Sequence, residues 1–346
     1  MNPQTLAITR FVPTEAEYAW TFGGYEPVRR VRSGDVLDVY TEDCFAGRIR
    51  STGDLFSKSV EYPFINPQTG PFYVEDAEVG DTIAIHLIEV EPARDWAASV
   101  TVPLFGALTG TRYTATLHDA LPEKTWIYRV DFATRELIFS ALASDHEQRL
   151  PLEPFHGTIG VAPAAYERRN VLVPEAFGGN MDTPEARAGT TLYFGVNVPG
   201  ALFSLGDGHY RMGEGEVCGA AVEGAMNTVL TVELIKGVYC EWPRLQDDEY
   251  LMVAGSYRPL EDAYRIAHTQ LIRWVAAETR LELMDAYQLI SQIAEPRIAN
   301  VVDTNYTIVA KAPIRHLPGD VEWMAGAHAR MRARGREVLA QRRAAG

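Results

Sequence analysis

Three cysteines in 346 residues, Cys44, Cys218 and Cys240, leave an odd thiol however they pair, and no two are spaced as Cys-x-x-Cys. That excludes a disulfide framework and a thiolate-rich zinc module, and it favours a reducing compartment. The sequence contains no apolar run near the ~20 residues that cross a bilayer, and Met1 to Trp20 has neither the basic start nor the apolar core of a secretion signal, so a cytoplasmic protein is expected. Positive charge is scarce, with a formal net charge of −14. Nucleic acid and anionic membrane gain nothing from such a surface, which suits neutral small molecules or metal cations. The exception is Arg330 to Arg343, read as a solvated helix face or frayed end. No nucleophile elbow Gly-x-Ser-x-Gly occurs, nor the glycine- and serine-rich core of a Ser-Ser-Lys amidase.

What the chain does have is acids and histidines set among glycines. The segment Gly206 to Glu223 brings Asp207, His209, Glu214, Glu216, Cys218 and Glu223 together. Pro154-Phe155-His156-Gly157-Thr158-Ile159-Gly160, Gly178-Gly179-Asn180-Met181-Asp182 and Glu42-Asp43-Cys44-Phe45 have the same character. Glycine contributes no packing, so it persists where the chain turns sharply or another group comes close. The glycine islands are expected as turns at strand ends, a usual place for chemistry on a stiff frame. Asp207 and His209, two apart in an extended segment, point to one face, where a single cation can touch both.

Elsewhere the pattern alternates with period two, in Asp81 to Ile88, Trp126 to Val130, Glu136 to Phe139 and Asn227 to Leu234. Helical periodicity appears late. Ala263 to Glu278 places Tyr264, Ala267, Leu271 and Val275 on one stripe, and Glu282 to Ile293 places Leu283, Ala286, Leu289 and Ile290 on another. The fold class is therefore mainly β, of α+β type, with a β-rich part over 1–150 and a catalytic β core with C-terminal helices over 151–346 forming one continuous body.

Taken in order, the Gly-Asp entry into Glu42-Asp43, the Pro-Phe-His-Gly-x-x-Gly run, the Gly-Gly-Asn-Met-Asp run and Gly-Asp-Gly-His followed by Gly-Glu-Gly-Glu-Val-Cys-Gly resemble the acetamidase/formamidase family, and the resemblance extends over nearly the whole chain. Asp285 to Asp303 looks like that family's closing helix and strand. The resemblance implies a β-sandwich core with an added barrel-like N-terminal part. It also implies hydrolysis of a small neutral amide, formamide or acetamide, to carboxylate and ammonia. A homo-oligomer is the expected assembly.

Mixed histidine and carboxylate donors without a thiolate pair suit Zn²⁺ or a similar ion in a catalytic site. His156, Asp182, Asp207 and His209 are the expected ligands. Asp43, which matches the family's Asp at that point, is a further candidate with a turn-capping role as its alternative. Glu216 and Glu223 are the candidate proton carriers or additional ligands, Glu216 preferred because it lies inside the glycine cluster. The carboxylates suffice for two ions as well as one. A nucleophilic Cys218 or Cys44 is the rival mechanism, although Val-Cys-Gly-Ala-Ala-Val reads as the setting of a buried, inert Cys218. Two other functions remain open: hydrolysis of a larger or cyclic amide, suggested by the aromatic-bearing stretch Asp95 to Tyr113, and a non-catalytic module holding Ca²⁺ in acidic loops.

Overall fold

The computed structural model describes residues 6–108 and 119–345; Tyr113, the end of the aromatic-bearing stretch, lies outside them. Two largely antiparallel sheets face each other. The larger by sequence span runs Ile8–Phe11, Val36–Thr41, Met226–Ile235, Thr82–Pro92, Thr191–Gly195, Arg244–Gln246, Tyr250–Tyr257, Tyr306–Pro313, Arg297–Asn300. The second runs Glu147–Pro151, Glu136–Ser140, Lys124–Asp131, Trp96–Thr101, Val222–Glu223, Phe203–Arg211, Phe155–Gly160, Gly178–Asn180, with Gln68–Val74 joined to Phe203–Arg211. Each sheet takes strands from both sides of residue 150. Among the described residues neither sheet closes, so the β-sandwich is present but the barrel-like part is an open sheet.

Alternation along Thr82–Pro92 shows how the layers form. Ile83, Ile85 and Leu87 face the second sheet and pack with Phe72, Ile159, Phe203 and Leu205, while Ala84 faces the helices with Leu251 and Trp274. The helices Leu260–Glu278 and Leu283–Ile293 lie close to the periodicity expected of them. Their stripes are shifted, however: Ala263, Ala267, Gln270, Leu271, Trp274 and Val275 are buried, whereas Tyr264 and Leu283 are exposed. Trp274 supplies the difference, because its ring meets Tyr193 and Trp323 edge-on and so sets which face turns inward.

The arginine-rich segment is a helix, Ala327–Ala345, laid across the first sheet. It is neither a frayed end nor merely solvated. Arg330 pairs with Glu233, Arg332 with Asp248, and Arg342 with Asp38 and Glu89. On its inner side, Thr191 Oγ1 bridges His86 Nδ1 at 2.9 Å and His328 Nδ1 at 2.8 Å, so these histidines are structural. Burial depresses His86 to about 3, which keeps it neutral.

Candidate active site

The site sits on the second sheet where four strands meet. Phe155–Gly160 pairs with Phe203–Arg211 so that His156 faces Gly208, Phe155 faces His209 and Thr158 faces Gly206. Asp207 and His209 are thus within a strand, not on a turn at its end, which corrects the expectation for that island. The glycines serve a different purpose there. A Cβ on Gly157 would fall 2.6 Å from Asp207 Oδ2, 2.7 Å from Asp182 Oδ1 and 2.8 Å from His209 Cε1. Gly157 is absent of side chain because three functional groups occupy that space.

His209 is the centre of the cluster. Its Nε2 lies 3.2 Å from Glu223 Oε2, 3.4 Å from Asp207 Oδ2 and 4.0 Å from Asp182 Oδ1. Glu216 comes from the turn after the strand, with φ +48, and offers a carboxylate oxygen to the same neighbourhood as Asp182 and His209. That turn is pinned to the other sheet: Gly215 bridges to Asn300, and Val301 N donates to Gly215 O at 3.1 Å. The same bridge carries in Asp303, which the sequence analysis did not single out.

Amide side chains orient these acids. Asn180 Nδ2 donates to Asp303 Oδ2 at 2.8 Å and to Asp182 Oδ2 at 3.1 Å. Asn180 Oδ1 accepts from Asn66 Nδ2 at 3.0 Å and from Thr158 Oγ1. Asn180 and Thr158 stand in the sequence only as members of the quoted glycine-rich runs, and Asn66 carries no signal there.

Burial dominates the electrostatics. It pushes Asp182, Glu216 and Glu223 upward, with neighbouring carboxylates adding to the effect, and raises Asp303 to about 7. Burial alone would lower His209, but Glu223 and Asp207 outweigh it and hold the imidazole well above its ordinary value. Two acceptors in the cluster nevertheless have no hydrogen-bond partner: Asp182 Oδ1 and Glu223 Oε2, both buried, lie 4.0 and 3.2 Å from His209 Nε2. Orphaned buried acceptors facing one another are costly unless a cation lies among them. The donor set fits a divalent cation.

Two expected ligands are placed elsewhere. His156 is buried beneath the cluster with both ring nitrogens engaged, Nδ1 to Gly206 O at 2.8 Å and Nε2 to Thr228 Oγ1 at 2.7 Å. Burial lowers it to about 4. Asp43 is turned away, its Oδ1 accepting from Phe45 N at 2.8 Å and Gly47 N at 2.9 Å while Oδ2 pairs with Arg94. Arg94 also holds Glu42 at 2.8 Å and lies over the Trp96 ring. Glu214 points to Arg297 at 2.7 Å.

The Asp43–Arg94 lock has a testable energetic consequence. Arg94→Ala strands two acids, one of them fully buried, and is expected to lower the unfolding free energy by about 3 kcal/mol in urea titration. Asp43→Asn keeps an oxygen for the two backbone donors, so a smaller loss is expected; a loss as large as that of Arg94→Ala would show that the pair supplies charge rather than turn hydrogen bonds.

The cysteine assignment reverses. Cys218 is exposed, not buried, and Cys44 is the thiol at the site, with its sulfur near Asp207 and Glu223. Burial and then Glu223, Asp207 and Asp43 push the Cys44 thiol well up, an environment that disfavours a thiolate nucleophile.

Comparison with known proteins identifies the family. Residues 163–315 match the model of the acetamidase/formamidase family. The crystal structure of an acetamidase from Yersinia enterocolitica is 38% identical, with TM-score 0.85 over 91% of this chain and 94% of that one. This chain belongs to the acetamidase/formamidase family. A predicted acetamidase/formamidase from Thermoanaerobacter tengcongensis is 31% identical with TM-score 0.78, covering 89% of this family member and 96% of that chain. The acetamidase of Mycolicibacterium smegmatis is 27% identical over 219 residues, which is 49% of this chain and 53% of that protein. This family member therefore spans about half the length of that curated relative. No helix among its described residues is long and apolar enough to cross a membrane.

Proposed function

We propose that this protein is an amidase that hydrolyses simple carboxamides, formamide and acetamide among them, with the help of a bound divalent cation. One observation supports this above the others: five buried acids, Asp182, Asp207, Glu216, Glu223 and Asp303, gather around the His209 imidazole and leave acceptors unsatisfied, in a member of the acetamidase/formamidase family.

Asp182, Asp207, His209 and Glu223 are the residues that would hold the ion, with zinc favoured over calcium because a nitrogen donor sits at the centre of the set. When bound, such a cation supplies Lewis acidity to the amide carbonyl and acidity to water. The chain's own residues do the rest. Glu216 takes the proton from the attacking water and returns it to the departing nitrogen, so that amide and water become carboxylate and ammonium. Asn180 fixes the carboxylates of Asp182 and Asp303, so the cluster does not reorganise as charge moves.

The test is removal of the ion. Dialysis against a strong chelator is expected to reduce ammonia release from acetamide to about a hundredth or less, and zinc should restore it. Chelation should also cost stability, about 2.7 kcal/mol if the ion was present at a hundred times its dissociation constant. Undiminished turnover in protein shown by elemental analysis to be free of divalent metal would overturn the cation-dependent reading.

A further inference from the structure

Beside the acids and His209, the pocket of about 240 Å3 is lined by Phe45, Phe56, Ile65, Val100, Val102 and Phe105. A water takes up roughly 30 Å3, and an apolar cavity of about 150 Å3 binds benzene. Formamide and acetamide, with three and four heavy atoms, leave most of this volume unfilled. A benzene-sized group and an amide together match it.

The apolar wall is not overflow from the main core. Cys44, Phe45, Val60, Ala98 and Val100 form a separate buried cluster, with Phe56, Ile65 and Val102 packed against it, apart from the core that joins the two sheets. Phe45 and Phe56 meet edge-on at 6.2 Å. Phe45 is further fixed through its backbone, since its N–H donates to Asp43 Oδ1 and Asp43 is locked by Arg94. A chain that needed only to admit acetamide would have no use for a rigid aromatic surface beside its acids.

We propose that the site's preferred substrates are primary amides with a bulky apolar acyl group, of the size of phenylacetamide, the acyl group lying against the Phe45–Val100 wall and the carboxamide against the acids. This rests on the amidase reading and names the substrate class of the same site. The reaction is unchanged: water adds to the carbonyl carbon, the C–N bond breaks, and phenylacetate and ammonium leave.

The experiment is a kcat/KM series over formamide, acetamide, butyramide, hexanamide and phenylacetamide with the metal-loaded protein. Values are expected to rise along the series, with phenylacetamide at least tenfold above acetamide. Val102→Trp, which fills the apolar side, should lower the phenylacetamide-to-acetamide ratio by about tenfold or more, and Phe56→Ala should shift the ratio further toward larger acyl groups. A series that falls with acyl size, or a ratio unmoved by both variants, would overturn the proposal while leaving the amidase reading intact. The two readings also separate if no amide is turned over. Thermal stabilisation by phenylacetamide but not by acetamide would then keep the apolar subsite and sink the amidase, whereas stabilisation by neither would sink both.

Discussion

Glu216→Gln is expected to lower kcat by about a hundred- to ten-thousand-fold while the protein keeps its divalent cation, because a proton carrier can be silenced without disturbing the ligand set. The geometry makes Gln a fair substitute. Glu216 is 7% exposed, its turn is fixed by the Gly215–Asn300 bridge, and the amide occupies the carboxylate's volume. Burial and the neighbouring acids raise its proton affinity, which suits a group that takes a proton and later returns it. KM for acetamide should change little. Elemental analysis beside steady-state kinetics decides the matter. A metal-free variant would make Glu216 a ligand and pass the proton to Glu223, and a fully active, metal-bound one would reduce both acids to structural groups.

Gly157→Ala should disturb the whole cluster rather than one of its groups. Its backbone is not in the left-handed region, so alanine is allowed there, and relief of glycine's freedom in the unfolded chain would by itself stabilise by about 0.4–1 kcal/mol. The whole effect is therefore steric. The new methyl would meet Asp207 Oδ2 at 2.6 Å, Asp182 Oδ1 at 2.7 Å and His209 Cε1 at 2.8 Å, and all three side chains are buried. Overpacking of this kind costs about 1–3 kcal/mol in stability. The functional loss should be larger: cation content below about a tenth of wild type and turnover reduced more than about a thousandfold, since misplacement by about 1 Å already costs about a hundredfold. Gly319→Ala, with open space around it, is the control and should behave as wild type. A Gly157→Ala protein with full cation content and rate would show that the cluster is looser than its contacts indicate.

The reasons some of this was readable from sequence and some was not are local against long-range. Asp207 and His209 were legible because a strand's two-residue repeat is a property of the chain itself, and the strand is there. Asp182, Glu216 and Glu223 were marked by their company among glycines, and the structure brings all three to His209. His156 carried the same mark. What separates it from the cluster is Thr228 Oγ1 and Gly206 O, partners 72 and 50 residues away that no local pattern announces. Asp43 was ambiguous for the same reason, since Arg94 lies 51 residues on. The small residues around Cys218 suggested burial, yet its loop is solvent-facing, while Cys44, in an acidic turn, is the enclosed thiol. Asp303 was legible only as the end of the closing segment; the bridge between sheets is what makes it part of the site.

That bridge, with the hydrogen bonds from Asn66 to Asn180 and from Asn180 to Asp303 spanning 114 and 123 residues, ties the chemistry to completion of the fold. Contacts so distant along the chain form only after the intervening loops have closed. A nascent or partly unfolded chain therefore carries its acids dispersed and hydrated, with nothing that distinguishes them from any acidic surface, and hydrolytic competence arrives in one step with the docking of the two sheets.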